Sequence, residues 1–404
     1  MDALDILTNL DRIVPYYQPI FSADEQRVIG YEVLGRFLEE KEAISLGSFF
    51  RDEQIPDEYK VEVDSLLLEK ALSGVINFES DSKLFINRSA EQLMYDNGEP
   101  FLEQLLKFEK KGYRLNRIVL EISDGHYNGD YHQLVHLLTY YRTYGIQIAV
   151  AKKDFDNSTM DLIGLLEPNI LKINLSSLRS TATSIAFQDI MFTLSLLARK
   201  IGATLLFENI ETSYQLQFAW SNGGRYYQGY YLGKPSEHFI EENSLKNRLK
   251  EEFHGFILLE KKKLQAIYTT EETFHFKVQS LIAKYKKTGY EELFHLLMKE
   301  MEKIAFRMYV CDEDGFQLSA NFSKIPVIGW VTQKEYIKKN WSWRPYFLEN
   351  IIEMRNEKRG ILSDPYSDIE TGEQIRTFSF PINANEFLFI DISSHYLYEQ
   401  EGLV

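Results

Sequence analysis

The 404-residue sequence predicts an α/β chain: a closed (β/α)8 barrel of the TIM type over residues 1–242, a long helical stretch over 243–302, and a smaller α+β domain over 303–404. Three observations predict it. In the first part, short β-rich apolar runs alternate with longer segments of helical spacing, the pattern of a parallel sheet covered by helices. About eight such units fall in about 240 residues, the size of a TIM-type barrel. No glycine-rich phosphate loop of the Rossmann or Walker kind follows any run, which weighs against an open doubly wound sheet.

Taken in order, the candidate strands are Ile13–Gln18, Arg27–Val33, Leu84–Asn87, Ile118–Ile122, Ile146–Ala151, Ile170–Asn174, Thr204–Ile210 and Tyr226–Tyr231. Between them, Val61–Leu72 and Phe192–Ile201 carry the clearest helical spacing. In the stretch VIGYEVLGRF (28–37), alternation along a strand puts Glu32, Leu34 and Arg36 on one side. A carboxylate and a guanidinium facing one space suit a metal-bound phosphate: the acid holds the cation, and the arginine takes a phosphate oxygen through a fork of donors. The plainer reading is an exposed ion pair at a strand end.

Glu32, Asn87, Glu121, Lys172, Glu208 and Gln228 each fall at or near the C-terminal end of an apolar run. In a barrel those ends share one mouth, where such folds place their chemistry. Three carboxylates, an amide oxygen and water make an oxygen cage for Mg²⁺, Mn²⁺ or Ca²⁺. The alternative is a set of unrelated, solvent-facing strand exits.

A net charge of −15 with 44% hydrophobic residues excludes a disordered chain and argues against DNA binding through a basic face. It leaves room for a small phosphorylated ligand in a local pocket. The lone Cys311 rules out an intrachain disulfide framework and fits a reducing cytoplasm. The opening MDALDILTNLDRIV lacks the regions of a signal peptide, and no apolar run approaches about 18 residues, so neither a leader nor a membrane span is expected.

Seven short motifs follow one another in a recognisable order. They are Tyr17-Gln18-Pro19-Ile20, Glu32-Val-Leu-Gly-Arg36, Phe85-Ile86-Asn87, Leu120-Glu121-Ile122-Ser123-Asp124, Leu171-Lys172-Ile173-Asn174, Glu208-Asn209-Ile210-Glu211 and Gln228-Gly229-Tyr230-Tyr231. Together, over about residues 10–240, they resemble the EAL domains, cyclic di-GMP phosphodiesterases and their inactive relatives. The resemblance implies Glu32, Asn87 and Glu121 as metal ligands, with Glu208 at the metal and its water. It implies Lys172 orienting that water at the scissile phosphate, and Gln18, Leu34, Arg36 and Gln228 touching the nucleotide. The chemistry it implies is two-metal hydrolysis of a phosphodiester.

The sequence departs from that family where the second metal would sit. The family's two aspartates after the fifth strand fall on Ala151 and Lys152; a register using Asp154 needs extra residues in a tight strand end. Alanine cannot ligate. A lysine puts one cation where another belongs, and like charges about 4 Å apart repel by roughly 4 kcal/mol at an effective dielectric of 20. The loop's glycines are replaced by Asp156 and Ser158, and Asn174 stands for an aspartate. At most one ion is therefore expected, or none. Three readings follow: a receptor that binds cyclic di-GMP without cleaving it, a slow one-metal phosphodiesterase, and a protein–protein module without nucleotide.

From Leu245 the chain reads as a long helix, with a basic run at Lys261–Lys263, then a second helix from about Phe274 to Lys287; this stretch suits a signal relay or a homodimer contact. In the last domain, Phe306–Val310 and Phe316–Ala320 flank a turn at Asp312-Glu-Asp-Gly315 and read as a hairpin; Arg376–Pro381 and Glu386–Ile392 are later strands. This pattern, with Trp341-Ser-Trp-Arg-Pro-Tyr346, Ser363-Asp-Pro-Tyr366 and Thr371-Gly372, resembles PAS and Cache sensor domains, and the two-part chain resembles the YkuI-type proteins. Trp341, Trp343, Arg344, Tyr346 and Tyr366 form a candidate sensor pocket for a carboxylate or other anion, against the alternative of an ordinary core. His126, His132, His136 and His238 show no metal-ligand spacing.

Overall fold

A computed structural model describes residues 3–40, 42–76, 81–123, 127, 129–152, 163–176, 178, 185–285, 289–344 and 347–399. Asp124, His126, Asp154, Asp156, Ser158 and Tyr346 lie outside them. Two compact units are formed, Met1–His254 and Gly255–Val404.

The first unit carries β1 (Ile13–Ser22), β2 (Val28–Leu38), β3 (Ala43–Ser45), β4 (Lys83–Ser89), β5 (Ile118–Ser123), β6 (Gln147–Lys152), β7 (Ile170–Asn174), β8 (Thr204–Glu208) and β9 (Tyr226–Tyr227). Among the described residues, eight of these close a barrel in the order β1-β9-β8-β7-β6-β5-β4-β2, with β2 pairing back to β1 and β3 lying on β2. The expectation of an all-parallel sheet is corrected at β1, which runs antiparallel to both β2 and β9. The cause is chain length. Only residues 23–27 separate β1 from β2, and a parallel crossover needs a dozen or more.

This reversal sets Gln18 directly opposite Glu32. The barrel is packed in layers. Ile20, Phe85, Val119, Ala149, Ile170, Leu206 and Tyr226 form a buried apolar cluster. Gly30, opposite Ile20, completes the level, because a Cβ there would meet the Lys83 carbonyl at 2.7 Å and the Phe85 ring at 3.0 Å. Side chains alternate along a strand, so the next inward level lies two residues on. It consists of Gln18, Glu32, Asn87, Glu121, Ala151, Lys172, Glu208 and Gln228.

Two capping boxes turn the chain away just beyond this level. Ser89 and Gln92 exchange backbone and side-chain bonds of 3.1 Å at the start of the Ala90–Tyr95 helix. Thr212 and Gln215 do the same for Ser213–Ser221, and Gln215 also donates to the carbonyls of Leu175 and Leu178. Gly229 carries φ +156°, and a Cβ there would fall 2.1 Å from the Ile210 carbonyl oxygen, so the Gln228 turn wraps the end of β8 only as glycine.

In the second unit, β10 (Ala305–Asp312), β11 (Asn321–Ile325), β12 (Gly329–Gln333), β13 (Ile361–Leu362), β14 (Tyr366–Ser367), β15 (Gln374–Pro381) and β16 (Glu386–Ile392) form a sheet in the order β12-β11-β10-β16-β15-β13, with β14 on β15. Two expectations are corrected here. The hairpin at Asp312–Gly315 forms, with an antiparallel bridge of Cys311 to Gln317, but Phe316–Ala320 does not continue as a strand; the longer pairing of β10 is with Asn321–Ile325, because the backbone of Gln317 also bonds to Lys338 and Lys339. Nor does a new helix start near Phe274. One helix runs from Lys246 to Lys284, since no proline interrupts it and no glycine follows Gly255 within it; the hydroxyls of Thr269 and Thr273 bond back to carbonyls four residues earlier. Its Phe274, Val278 and Leu281 pack with Leu293, Phe294 and Leu297 of the Tyr290–Glu300 helix onto the sheet.

Candidate functional site

Seven of the eight side chains in the upper barrel level are polar, and all seven are joined in one network of hydrogen bonds and ion pairs. Lys172 donates to both Glu121 oxygens at 2.9 and 2.8 Å and to Glu32 Oε2 at 3.0 Å, with Glu208 Oε2 at 3.4 Å. Glu32 also accepts from Asn87 Nδ2 at 2.7 Å and from Gln228 Nε2 at 2.6 Å. Gln228 Nε2 further reaches Gln18 Oε1 at 3.1 Å. One level higher, Asn174 Nδ2 donates to Glu208 Oε1 at 3.0 Å.

The eighth position is Ala151, which pairs with Lys172 across β6 and β7. Lys152 closes β6.

One ammonium is thus shared by three carboxylates. Burial pushes Glu121 up to about 8, and the charge of Glu32 adds to that against the pull of Lys172. Burial also penalises Glu32, but Lys172, Asn87 and Gln228 outweigh it and hold this acid below its ordinary value. For Lys172 burial works downward, yet Glu121, Glu32 and Glu208 hold the ammonium well above its usual range. Gln228 Oε1 is buried with no hydrogen-bond partner among the described residues. The ring is therefore short of positive charge and of donors. As the side chains stand, no three His, Cys, Asp or Glu among the described residues converge on one ion; Lys172 occupies the centre. Three carboxylates and an amide nonetheless have the chemistry of a hard divalent cation site.

The ring floors a cleft of about 340 Å³ bounded by Gln18, Glu32, Leu34, Arg36, Glu208 and Gln228. Leu34 and Arg36 do share the Glu32 side of β2. The plainer Glu32–Arg36 ion pair is not formed: Glu32 is buried in the network, and Arg36 lies over the Tyr16 ring at 5.4 Å. Burial lowers the Arg36 pKa. Sequence reasoning missed Asn209, Glu211, Tyr230 and Pro235, which also line the cleft. For Asn209, Glu211 and Tyr230, a place beside Glu208 and Gln228 in two motifs was the available signal; Pro235 lies outside both motifs. It also missed an adjoining cleft of about 380 Å³, which shares Glu32, Leu34 and Arg36 and includes Phe50, Arg51 and the buried Arg88–Asp64 pair. Asp64 sits on the apolar stripe of the Asp57–Ile76 helix, a position that could have flagged it.

The candidate sensor residues divide. Trp341 and Arg344 line one small cavity in the second unit, with the Arg344 guanidinium 4.6 Å from the Trp341 ring centre. Trp343 is exposed, and the Tyr366 hydroxyl bonds Thr377, so neither joins that lining. Among the described residues, no helix is long and apolar enough to cross a membrane.

Comparison with known proteins agrees with this geometry. Residues 2–235 match the model of the EAL domain, and residues 239–404 match the EAL-domain associated signalling protein domain. The EAL-domain containing protein YkuI of Bacillus subtilis (strain 168) is 51% identical, with both chains fully covered. The crystal structure of B. subtilis YkuI with c-di-GMP and calcium is similar with a TM-score of 0.93, at 51% identity and full coverage of both chains. A standalone EAL protein of Vibrio cholerae O395, in its c-di-GMP bound form, covers 58% of this chain and 97% of its own at 22% identity and TM-score 0.50, a likeness of fold. The chain belongs to the EAL domain family and carries the EAL-domain associated signalling domain after its barrel.

Proposed function

We propose that this protein is a receptor for cyclic di-GMP whose barrel has lost efficient hydrolysis. The observation that carries the reading is the single apolar member of the ring, Ala151, followed by Lys152 at the end of β6. The family's two-ion site has acids at these two positions, and this chain has an alanine and a lysine there. The full-length relative crystallised with c-di-GMP and calcium supports nucleotide binding by a chain of this kind.

In this reading Arg36 takes a phosphate oxygen, Leu34 supports the apolar part of the ligand, and Gln18 and Gln228 contact it from the closing strands. Glu32, Asn87, Glu121 and Glu208 would hold one divalent ion, Mg²⁺, Mn²⁺ or Ca²⁺. Bound there, the ion would polarise a phosphoryl oxygen and neutralise charge. Lys172 then serves as a fixed cation against the phosphodiester, and Asn174 keeps Glu208 aimed inward. The barrel over 1–242 acts as receiver, the 303–404 domain as sensor, and 243–302 as the relay. The same reading has the protein act in the cytoplasm as a homodimer on a protein partner.

A second reading is a slow one-metal phosphodiesterase, favoured by the survival of Glu32, Asn87, Glu121, Lys172 and Glu208 at one level. Calorimetry with cyclic di-GMP, with and without divalent ions, followed by chromatography of the products, separates them. Binding without linear dinucleotide is expected. Rapid turnover with Mn²⁺ overturns the receptor, and absence of binding under all conditions leaves only the protein–protein role.

A further inference from the structure

The second unit holds a charged cluster that the barrel reading does not use. Arg307, 6% exposed on β10, meets three carboxylates: Asp391 at 2.6 Å, Asp368 at 2.5 Å and Glu370 at 3.0 Å. Two of the three are locked. Asp391 is buried and accepts from Thr377 Oγ1 at 2.6 Å, and Asp368 is buried and accepts from the Thr371 backbone and hydroxyl at 3.0 and 3.1 Å. Glu370 differs. Its side chain is 44% exposed, and among the described residues it is held by Arg307 Nη1 and the Tyr336 hydroxyl.

Beside this contact lies a cavity of about 70 Å³ lined by Arg307, Tyr309, Asn321, Tyr336, Trp341 and Arg344, with Asp368, Ile369 and Glu370 at its edge. At roughly 10–15 Å³ of such space per water, it has room for about five heavy atoms. Tyr309 and Trp341 supply flat apolar walls, and Arg344 lies against Trp341. With Glu370 displaced, Arg307 keeps Asp368 and Asp391 on two of its nitrogens, its Nη1 and the Tyr336 hydroxyl are released, and the Arg344 guanidinium lines the same space. A planar fork and a phenol O–H as donors, already holding a carboxylate, select a carboxylate.

We propose that this cavity is a binding site for a small monocarboxylate, and that Glu370 occupies the ligand's place on Arg307 and Tyr336 until the ligand displaces it. The exchange is one carboxylate for another on the same donors, so it leaves the buried Asp368–Arg307–Asp391 frame intact. The ligand's short apolar end then lies against Tyr309 and Trp341.

The test is titration of the full chain with sodium propionate at constant sodium concentration, read by calorimetry and by melting temperature. Saturable binding is expected. It should tighten at least roughly tenfold in Glu370→Ala, which removes the internal competitor, and fall at least tenfold in Arg344→Gln. Glu370→Gln, which keeps the side chain's bulk, should show the same gain, so the result does not hang on the alanine variant's folding. Propylamine hydrochloride should give no signal. The proposal is overturned if propionate fails to saturate both the natural protein and the Glu370 variants. It is equally overturned if Arg344→Gln binds propionate unchanged, or if propylamine binds instead.

Discussion

The barrel rim and the second unit each set one buried cation among three carboxylates, yet the two clusters behave oppositely. Arg307 gives each acid its own nitrogen from a planar fork, and Asp391 and Asp368 are further held by Thr377 and Thr371. Burial works against Asp368, but Arg307 outweighs it and holds this acid below its ordinary value. Lys172 has a point charge with three donors, two of them spent on Glu121. Glu121 is still pushed up to about 8. Equal charge counts therefore give a satisfied frame in one place and a cation-seeking ring in the other. The difference lies in donor geometry and in what else each acid touches.

The largest expected effect breaks the comparison at its centre. Removing either cation leaves buried acids uncompensated, which costs roughly 3–5 kcal/mol. Arg307→Met and Lys172→Met should therefore both lower urea stability by that order in chelator. Millimolar Ca²⁺ or Mn²⁺ should restore Lys172→Met, by about 2.7 kcal/mol at a hundred times Kd, and leave Arg307→Met unchanged. Equal rescue of both, or of neither, would show that the rim has no special demand for a cation.

A smaller effect sharpens it through pH. Asp64 faces a single partner, Arg88, in the cleft next to the rim, and burial pushes it up to about 6. A raised acid binds its proton more tightly in the folded chain, so its contribution is greatest at low pH. Stability then falls as pH rises between the ordinary value near 4 and about 6, by up to about 3 kcal/mol at roughly 1.4 kcal/mol per unit. Asp368 works the other way: its stabilisation is present above the ordinary carboxylate value and is lost as pH falls through its lowered one. Asp64→Asn should flatten the limb between pH 4 and 6, while Asp368→Asn should alter only the limb below it. Denaturant midpoints across pH 3–7 read both.

How much of this was legible follows from sequence distance. Most rim residues sit two places beyond an apolar residue at a strand's end, so a one-dimensional pattern carries them: Phe85 to Asn87, Val119 to Glu121, Ile170 to Lys172. The direction of β1 leaves no side-chain signature, although the short 23–27 link was a usable clue. Arg307, Asp368 and Asp391 come from three segments with nothing local to join them, and no sequence signal could have found that cluster. The start of β11 was lost for a related reason, because its competitor, the bonding of Gln317 to Lys338 and Lys339, is a tertiary contact.

The smallest effect concerns the one guanidinium at the rim that the ring does not absorb. Arg36 donates to the Gly35 carbonyl at 3.0 Å and makes no ion pair among the described residues, so its removal leaves no buried acid behind. Arg36→Ala should therefore change urea stability by less than about 1 kcal/mol. If it holds a phosphate oxygen, the loss of one charge-assisted contact, about 1.5 kcal/mol, should weaken cyclic di-GMP at least roughly tenfold in calorimetry. The same substitution should leave Ca²⁺ or Mn²⁺ binding in the absence of nucleotide nearly unchanged, because the ring is complete without it. A variant that lost ion and nucleotide together would mean that Arg36 belongs to the network of Lys172, and the division between a cation-seeking floor and a phosphate-holding wall would fail.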